Sequence, residues 1–146
     1  MNRNEPTRII QASALYDLVV TAPFATPWTA GWLLEKLHHL HVVLALPGAA
    51  PPEFGPMHLF FVSLMGTIVT VWSVLRLWKP EPSLGAADTV GRAGFSLWMA
   101  VAFASGQTGI LAIMLAMELT WFFVQGSAIL QWWRRHHAHA PRSQTA

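Results

Sequence analysis

Two stretches of this chain are apolar over a length sufficient to cross a lipid bilayer. They cover residues 57–78 and 110–133, and at about 1.5 Å per helical residue each can span a hydrocarbon core of roughly 30 Å. Two further stretches, about 9–28 and 88–105, are mainly apolar but contain charged residues. The pattern predicts an all-α polytopic membrane protein, a four-transmembrane-helix bundle contained in a single membrane domain over residues 1–133.

The connection between the first two spans carries a different pattern. Residues 29–46 place Trp32, Glu35 and His39 at steps of three or four, beside a stripe of leucines. This spacing predicts an amphipathic helix lying on the outer membrane surface. The following segment, PGAAPPEFGP, contains four prolines and two glycines, which predicts a loop.

The ends of the later elements are less distinctly marked. Asp88 is predicted to cap the third span, and a tight turn at residues 106–109 is expected to lead into the fourth span. Residues 134–146 (RRHHAHAPRSQTA) are basic and polar, which predicts a disordered tail.

The composition supports a membrane location. The chain is 53% hydrophobic and only 11% charged, which excludes an ordinary soluble domain. It has no cysteine, so disulfides and thiolate chemistry are excluded. The basic residues cluster at helix ends instead of forming a stripe, so nucleic acid is not an expected partner.

The distribution of Lys and Arg predicts the orientation. With four spans, eight of the nine basic residues fall on one side and only Lys36 falls on the other. Cytoplasmic loops of membrane proteins carry such an excess, so both termini are expected in the cytoplasm of a bacterial inner membrane. The eight residues are Arg3, Arg8, Arg76, Lys79, Arg92, Arg134, Arg135 and Arg142.

Two carboxylates inside the predicted spans are the best candidates for chemistry. Asp17 and Glu118 each lie about 12 Å from opposite ends of their spans, so they could meet near the middle of the bilayer. A charge there costs about 2.5–3.5 kcal/mol on insertion scales, and Arg92 is the natural partner of Asp17. Two interpretations stay open: a proton relay or polar ligand site, or a packing contact between helices.

The face of the fourth span that carries Glu118 also carries Trp121 and Gln125, at the third and seventh following positions. Facing it, a stripe of small polar residues on the second span could complete a slot for a quinone-like or lipid-like molecule. Such stripes more often allow close helix packing. The stripe consists of Ser63, Gly66, Thr67, Thr70 and Ser73.

Histidines near the outer surface are candidate metal ligands. Glu35, His38, His39 and His58 offer carboxylate and imidazole donors of the kind that bind zinc, copper or iron. The second Glu-x-x-His motif of a di-iron bundle is missing. No histidine lies in the middle of a predicted span, so haem is not expected, and no cofactor is predicted.

The outline of a short acid-bearing helix, an outer connection and three further spans is similar to the four-helix sterol isomerase and sigma-2 receptor group. That resemblance implies a bundle whose buried acids line an apolar pocket, and it transfers no individual residue. The leading functional hypothesis is a non-catalytic accessory subunit that binds the bilayer and a membrane protein partner or a second copy. The alternatives are a binding protein or enzyme for a lipid-like or quinone-like ligand, and an outer-face metal binder.

Overall fold

A computed structural model describes residues 5–138 of the chain. The regular secondary structure of this part is helical, as predicted. Its elements are α1 (Glu5–Thr21), a 3₁₀ turn (Ala22–Ala25), α2 (Pro27–Val43), α3 (Pro56–Trp78), α4 (Pro82–Ala104) and α5 (Ile110–Ala138).

Two of these helices, α3 and α5, are long and apolar enough to cross a membrane. This confirms that residues 57–78 and 110–133 form helices that could cross a membrane. The number rises to three if α1 and α2, which are bent by 105° at the 3₁₀ turn, form one broken span. Helix α4 has 23 residues, as many as α3, but it is less apolar because it carries Asp88 and Arg92. Length and composition therefore give two or three spans among the described residues, and not the predicted four.

The first predicted span is not a continuous helix. Helix α1 ends at Thr21, and Pro23 lies in the 3₁₀ turn that follows. Thr26 is extended, as the residue before a proline usually is, and its side chain accepts a hydrogen bond from Thr29 N at 3.3 Å. Pro27 then begins α2, where a missing N–H costs nothing. The predicted surface helix at residues 29–46 corresponds to α2.

Two further boundaries differ from the prediction. Helix α4 begins at Pro82, so Asp88 lies in its second turn, buried, and does not cap it. Helix α5 continues to Ala138, so the tail predicted to be disordered from residue 134 starts as helix. Residues 139–146, which hold the rest of that tail, lie outside the described part, as do Arg3 and the other residues before position 5.

Helix α1 lies at the centre of the bundle and contacts α3, α4 and α5, while α4 and α5 pair as a hairpin. We call the end of the bundle near Trp78 and Pro82 the base and the end near Ala104 and Ile110 the top. A loop after α2 packs on the top: Gly109 N donates to Pro47 O at 2.7 Å, and the Nδ1 of His41 lies 2.8 Å from Thr108 Oγ1.

The side chains are distributed in the reverse of a water-soluble domain. Large apolar residues such as Phe61, Ile68 and Trp78 of α3 are exposed, whereas Arg76, Arg92 and Gln125 are buried. Water-soluble proteins almost never bury Arg fully while exposing such surfaces. The arrangement suits a hydrocarbon environment, where apolar side chains face lipid and polar ones face the protein interior.

The 3₁₀ turn packs against the small polar stripe of α3. Gly66 is buried, and a Cβ atom added there would lie 2.4 Å from the carbonyl carbon and oxygen of Phe24. Thr67 Oγ1 donates a hydrogen bond to Ala25 O at 3.2 Å. Around Gly66 the stripe is thus a close-packing surface toward the 3₁₀ turn, and not the wall of a slot facing Glu118.

Candidate functional site: a buried charged cluster

Five charged side chains from four helices meet inside the bundle. All are largely buried: Arg76 is fully buried, and the most exposed member, Glu118, is 16% exposed. We call this group the charged cluster, and it consists of Asp17 of α1, Arg76 of α3, Asp88 and Arg92 of α4, and Glu118 of α5.

Arg92 connects three carboxylates. Its Nη2 lies 2.5 Å from Asp17 Oδ2, its Nε lies 3.0 Å from Asp88 Oδ2, and its Nη1 lies 2.8 Å from Glu118 Oε2. A guanidinium presents its donors in a fixed planar fork, so each nitrogen binds a different carboxylate. Arg92 thereby ties α4 to α1 and to α5.

Arg76 connects α3 to the same acids. It pairs with Asp17, and its Nη1 lies 2.8 Å from Asp88 Oδ2. The hydroxyl oxygen of Ser13 accepts from Arg76 Nη1 at 3.2 Å and from Arg92 Nη2 at 2.9 Å. Ser13 and Asp17, four residues apart on α1, therefore bind both guanidiniums, and so does Asp88.

Asp88 is the most heavily bonded acid of the cluster. Besides the two guanidiniums, it accepts a hydrogen bond from Trp72 Nε1 at 2.9 Å and one from Gln125 Nε2 at 2.9 Å. These donors come from α3 and α5, so one carboxylate in the second turn of α4 holds three helices together. Breaking such a buried set by removing one partner is expected to be costly.

The cluster extends along much of the bundle. At about 1.5 Å per residue, Asp88 lies about 9 Å and Arg92 about 15 Å from the start of α4. Glu118 lies about 12 Å from the start of α5, at the opposite end. The charges therefore run from the base, where Arg76 lies in the last turn of α3, to above the middle of the bundle.

The structure brings together most of the residues that the sequence singled out. Asp17 pairs with Arg92, as predicted, and Gln125 joins through Asp88. Glu118 accepts a hydrogen bond from Arg92. Trp121 does not bond to the cluster. Its ring packs against Tyr16, with 5.7 Å between the ring centroids.

Two members, Arg76 and Asp88, were not predicted. Arg76 was assigned to the cytoplasmic end of a span, and Asp88 to a helix cap. A signal was available for each: Asp88 and Arg92 are four residues apart, the spacing of ion pairs on a helix. Arg76 likewise follows Trp72 at that spacing, on a face that is otherwise apolar or small.

The predicted metal ligands do not come together. Within residues 5–138, no group of three or more His, Asp or Glu side chains could hold a metal ion. The ring of His38 lies with Nδ1 2.7 Å from Pro51 O, and His58 packs against Phe54. Glu35 and His39 are exposed on α2.

Neither of two clefts on the described surface includes a member of the charged cluster. The larger, of about 380 Å³, lies between α2 and the loop before α3. It is lined by Gly31, Leu34, Glu35, His38, Pro52, Glu53, Phe54 and Leu59. The second, of about 250 Å³, is an apolar groove between α4 and α5 near Gly126 and Trp133.

No known protein family, curated protein or solved structure matches this chain. The class of protein follows from the structure itself. Over residues 5–138 it is a helical protein with two or three helices that could cross a membrane, arranged around a buried charged cluster.

Proposed function

We propose that this protein is a non-catalytic membrane subunit whose charged cluster fixes the arrangement of its helices. One observation carries the proposal: each of the five charged groups is bonded to another member of the cluster. Buried ions are tolerated when they are paired and hydrogen-bonded. A cluster closed on itself holds helices together, whereas a substrate site needs open space beside its polar groups.

The same observations favour this proposal over the two alternatives. A lipid-like or quinone-like ligand bound through Asp17 and Glu118 would need free polar groups there, and both carboxylates already bond to Arg92. A metal site on the outer face would need ligands that converge. An accessory role requires neither, and it uses the large apolar surface of α3 for contact with lipid and with a membrane partner.

We further propose four spans, formed by α1, α3, α4 and α5, in a bacterial inner membrane with both termini in the cytoplasm. The charges of α4 do not oppose this topology, because Asp88 and Arg92 are paired inside the bundle. Because Arg76 and Arg92 are buried, they no longer count as loop charges. The remaining basic residues still divide six to one, with Lys36 alone on the outer side, which supports the orientation.

Helix α2 fits the outer surface in this topology. Trp28 and Trp32 are 82% and 60% exposed, and indole rings at such positions favour the headgroup region. Lys36 lies over the Trp32 ring, 6.0 Å from its centroid.

The topology is tested by reporter fusions. A reporter that is active only outside the cytoplasm should be active when fused after Pro51, and inactive when fused after Ser83 or Ala146. Pro51 follows α2 and Ser83 lies in the first turn of α4, so the two positions bracket one crossing by α3. An inactive reporter at Pro51 would contradict the crossing by α1 and leave fewer than four spans.

The accessory role is tested by the size of the assembly at native abundance. A tagged chain extracted from its own membranes in mild detergent should sediment as a complex larger than one 16.2 kDa chain with its detergent. The chain overproduced alone serves as the reference. A lone chain in native membranes would contradict the proposal. So would Glu118→Gln or Asp17→Asn variants that fold and assemble normally but reproduce the phenotype of a gene deletion.

A further inference from the structure

The charged cluster contains three carboxyl groups and only two guanidiniums. If all five groups were ionised, the interior of the bundle would carry one uncompensated negative charge. An unbalanced charge in a low-dielectric interior is strongly disfavoured, and a carboxyl group avoids it by binding a proton. We propose that Glu118 is a proton-binding site, neutral at neutral pH, whose proton does not pass to the aspartates.

Hydrogen bonding distinguishes Glu118 from the two aspartates. Asp17 accepts from both guanidiniums, and Asp88 accepts from both of them and from two further donors. Within residues 5–138, Glu118 accepts only one hydrogen bond, from Arg92 Nη1 to Oε2. Hydrogen bonds to a carboxylate favour its charged form, so the acid with the fewest of them takes the proton. Its Oε1 is available to carry it.

The charged groups around Glu118 also indicate that Glu118 is the acid that binds the proton. Helix α4 presents Arg92 and Asp88, and helix α1 presents Asp17 and Tyr16. Arg92 shares its positive charge with both aspartates. These two acids and the two guanidiniums of Arg76 and Arg92 form a set without net charge. A charged Glu118 would add a third negative group to a set that is already neutral.

Arg92 also limits where the proton can go. It lies between Glu118 and the aspartates, bonding Glu118 through Nη1 and the aspartates through Nη2 and Nε. A guanidinium does not give up a proton in proteins, so it cannot hand one from Glu118 to Asp17 or Asp88. The cluster therefore holds a proton on one side without conducting it across the bundle, which separates this proposal from a transmembrane relay.

The test is infrared spectroscopy of the full-length protein in lipid nanodiscs at neutral pH. The wild-type protein should show the carbonyl band of one protonated carboxylic acid, and this band should shift when the carboxyl carbons of glutamate are isotope-labelled. Glu118→Gln should abolish the band. A wild-type protein without the band, or a band insensitive to glutamate labelling, would overturn the proposal, and this measurement needs no mutant to fold.

The variant Asp17→Asn tests the charge balance itself. It leaves two carboxyl groups with two guanidiniums, so Glu118 should release its proton and the band should vanish although Glu118 is unchanged. The matched control is Glu81→Gln, which removes an exposed acid outside the cluster and should leave the band as it is. A band that persists in folded Asp17→Asn protein would overturn the charge-balance argument. If that variant does not fold, the labelled wild-type spectrum decides.

Discussion

Asp88→Ala should lower the free energy of unfolding in detergent by about 3–5 kcal/mol, the range seen when one partner of a buried ion pair is removed. The change removes an acceptor shared by four donor groups: two guanidiniums, the Trp72 indole and the Gln125 amide. The guanidiniums keep Asp17, and the amide keeps Gly85 O and Thr89 Oγ1, so the main loss is the buried negative charge beside Arg76 and Arg92. A guanidinium cannot become neutral to relieve this cost. The measurement is reversible unfolding in mixed micelles, followed by circular dichroism.

Two variants calibrate that result. Asp88→Asn keeps the size of the side chain but places an amide N–H among donors, so it should also destabilise the bundle, by less than alanine. Glu81→Gln breaks an exposed ion pair with Lys79 at 3.2 Å, and exposed pairs contribute about 0–1 kcal/mol. If Asp88→Ala unfolds no more easily than Glu81→Gln, the cluster does not hold the helices together.

Gly66→Ala should destabilise the protein by about 1–3 kcal/mol, the usual cost of overpacking a core. The new Cβ would lie 2.4 Å from the carbonyl group of Phe24 and 2.8 Å from Ala25 N. These are backbone atoms, which cannot rotate away as a side chain can. The 3₁₀ turn would have to leave α3, and with it the bend between α1 and α2. Unfolding in detergent, with limited proteolysis near residues 22–26, measures both effects.

Other glycines of the chain provide a graded control. At Gly94 a Cβ would meet nothing within 4 Å, so Gly94→Ala should be neutral or stabilising by up to about 1 kcal/mol, because alanine is the better helix former. At Gly85 the nearest atoms belong to the side chains of Ile10 and Ile129, which can adjust, so the expected cost is intermediate. Equal effects at Gly66 and Gly94 would show that the turn is not seated as described.

The two long apolar helices α3 and α5 were predictable because their signal is local. A long run of apolar residues has few alternatives to a membrane-crossing or buried helix, and this holds whatever the neighbouring helices do. The joining of Asp17, Arg92 and Glu118 was predictable for a related reason. Charges deep within apolar stretches must find partners, and counting residues from each end placed them at compatible depths.

Arg76 and Asp88 show where such counting fails. Both lie within about 10 Å of a helix end, where a charged side chain can reach the membrane surface or turn into the protein at similar cost. The choice depends on how α3 and α4 are rotated about their axes, and that rotation is set by the partners on α1 and α5. Asp17 contacts Arg76 and Arg92, which lie 59 and 75 positions away in the chain. A local sequence pattern therefore does not reveal this choice.

The amino-acid sequence by itself determined that the chain is helical, which two segments are most apolar, and where prolines interrupt it. Pro23 and Pro27 require a break near residue 25, because each lacks the N–H that a continuing helix needs. The tertiary structure decided the direction of that break, since Phe24 and Ala25 rest on Gly66. It also decided that five charges form one closed cluster, because pairing energies depend on distances between helices, and a linear pattern does not contain those distances.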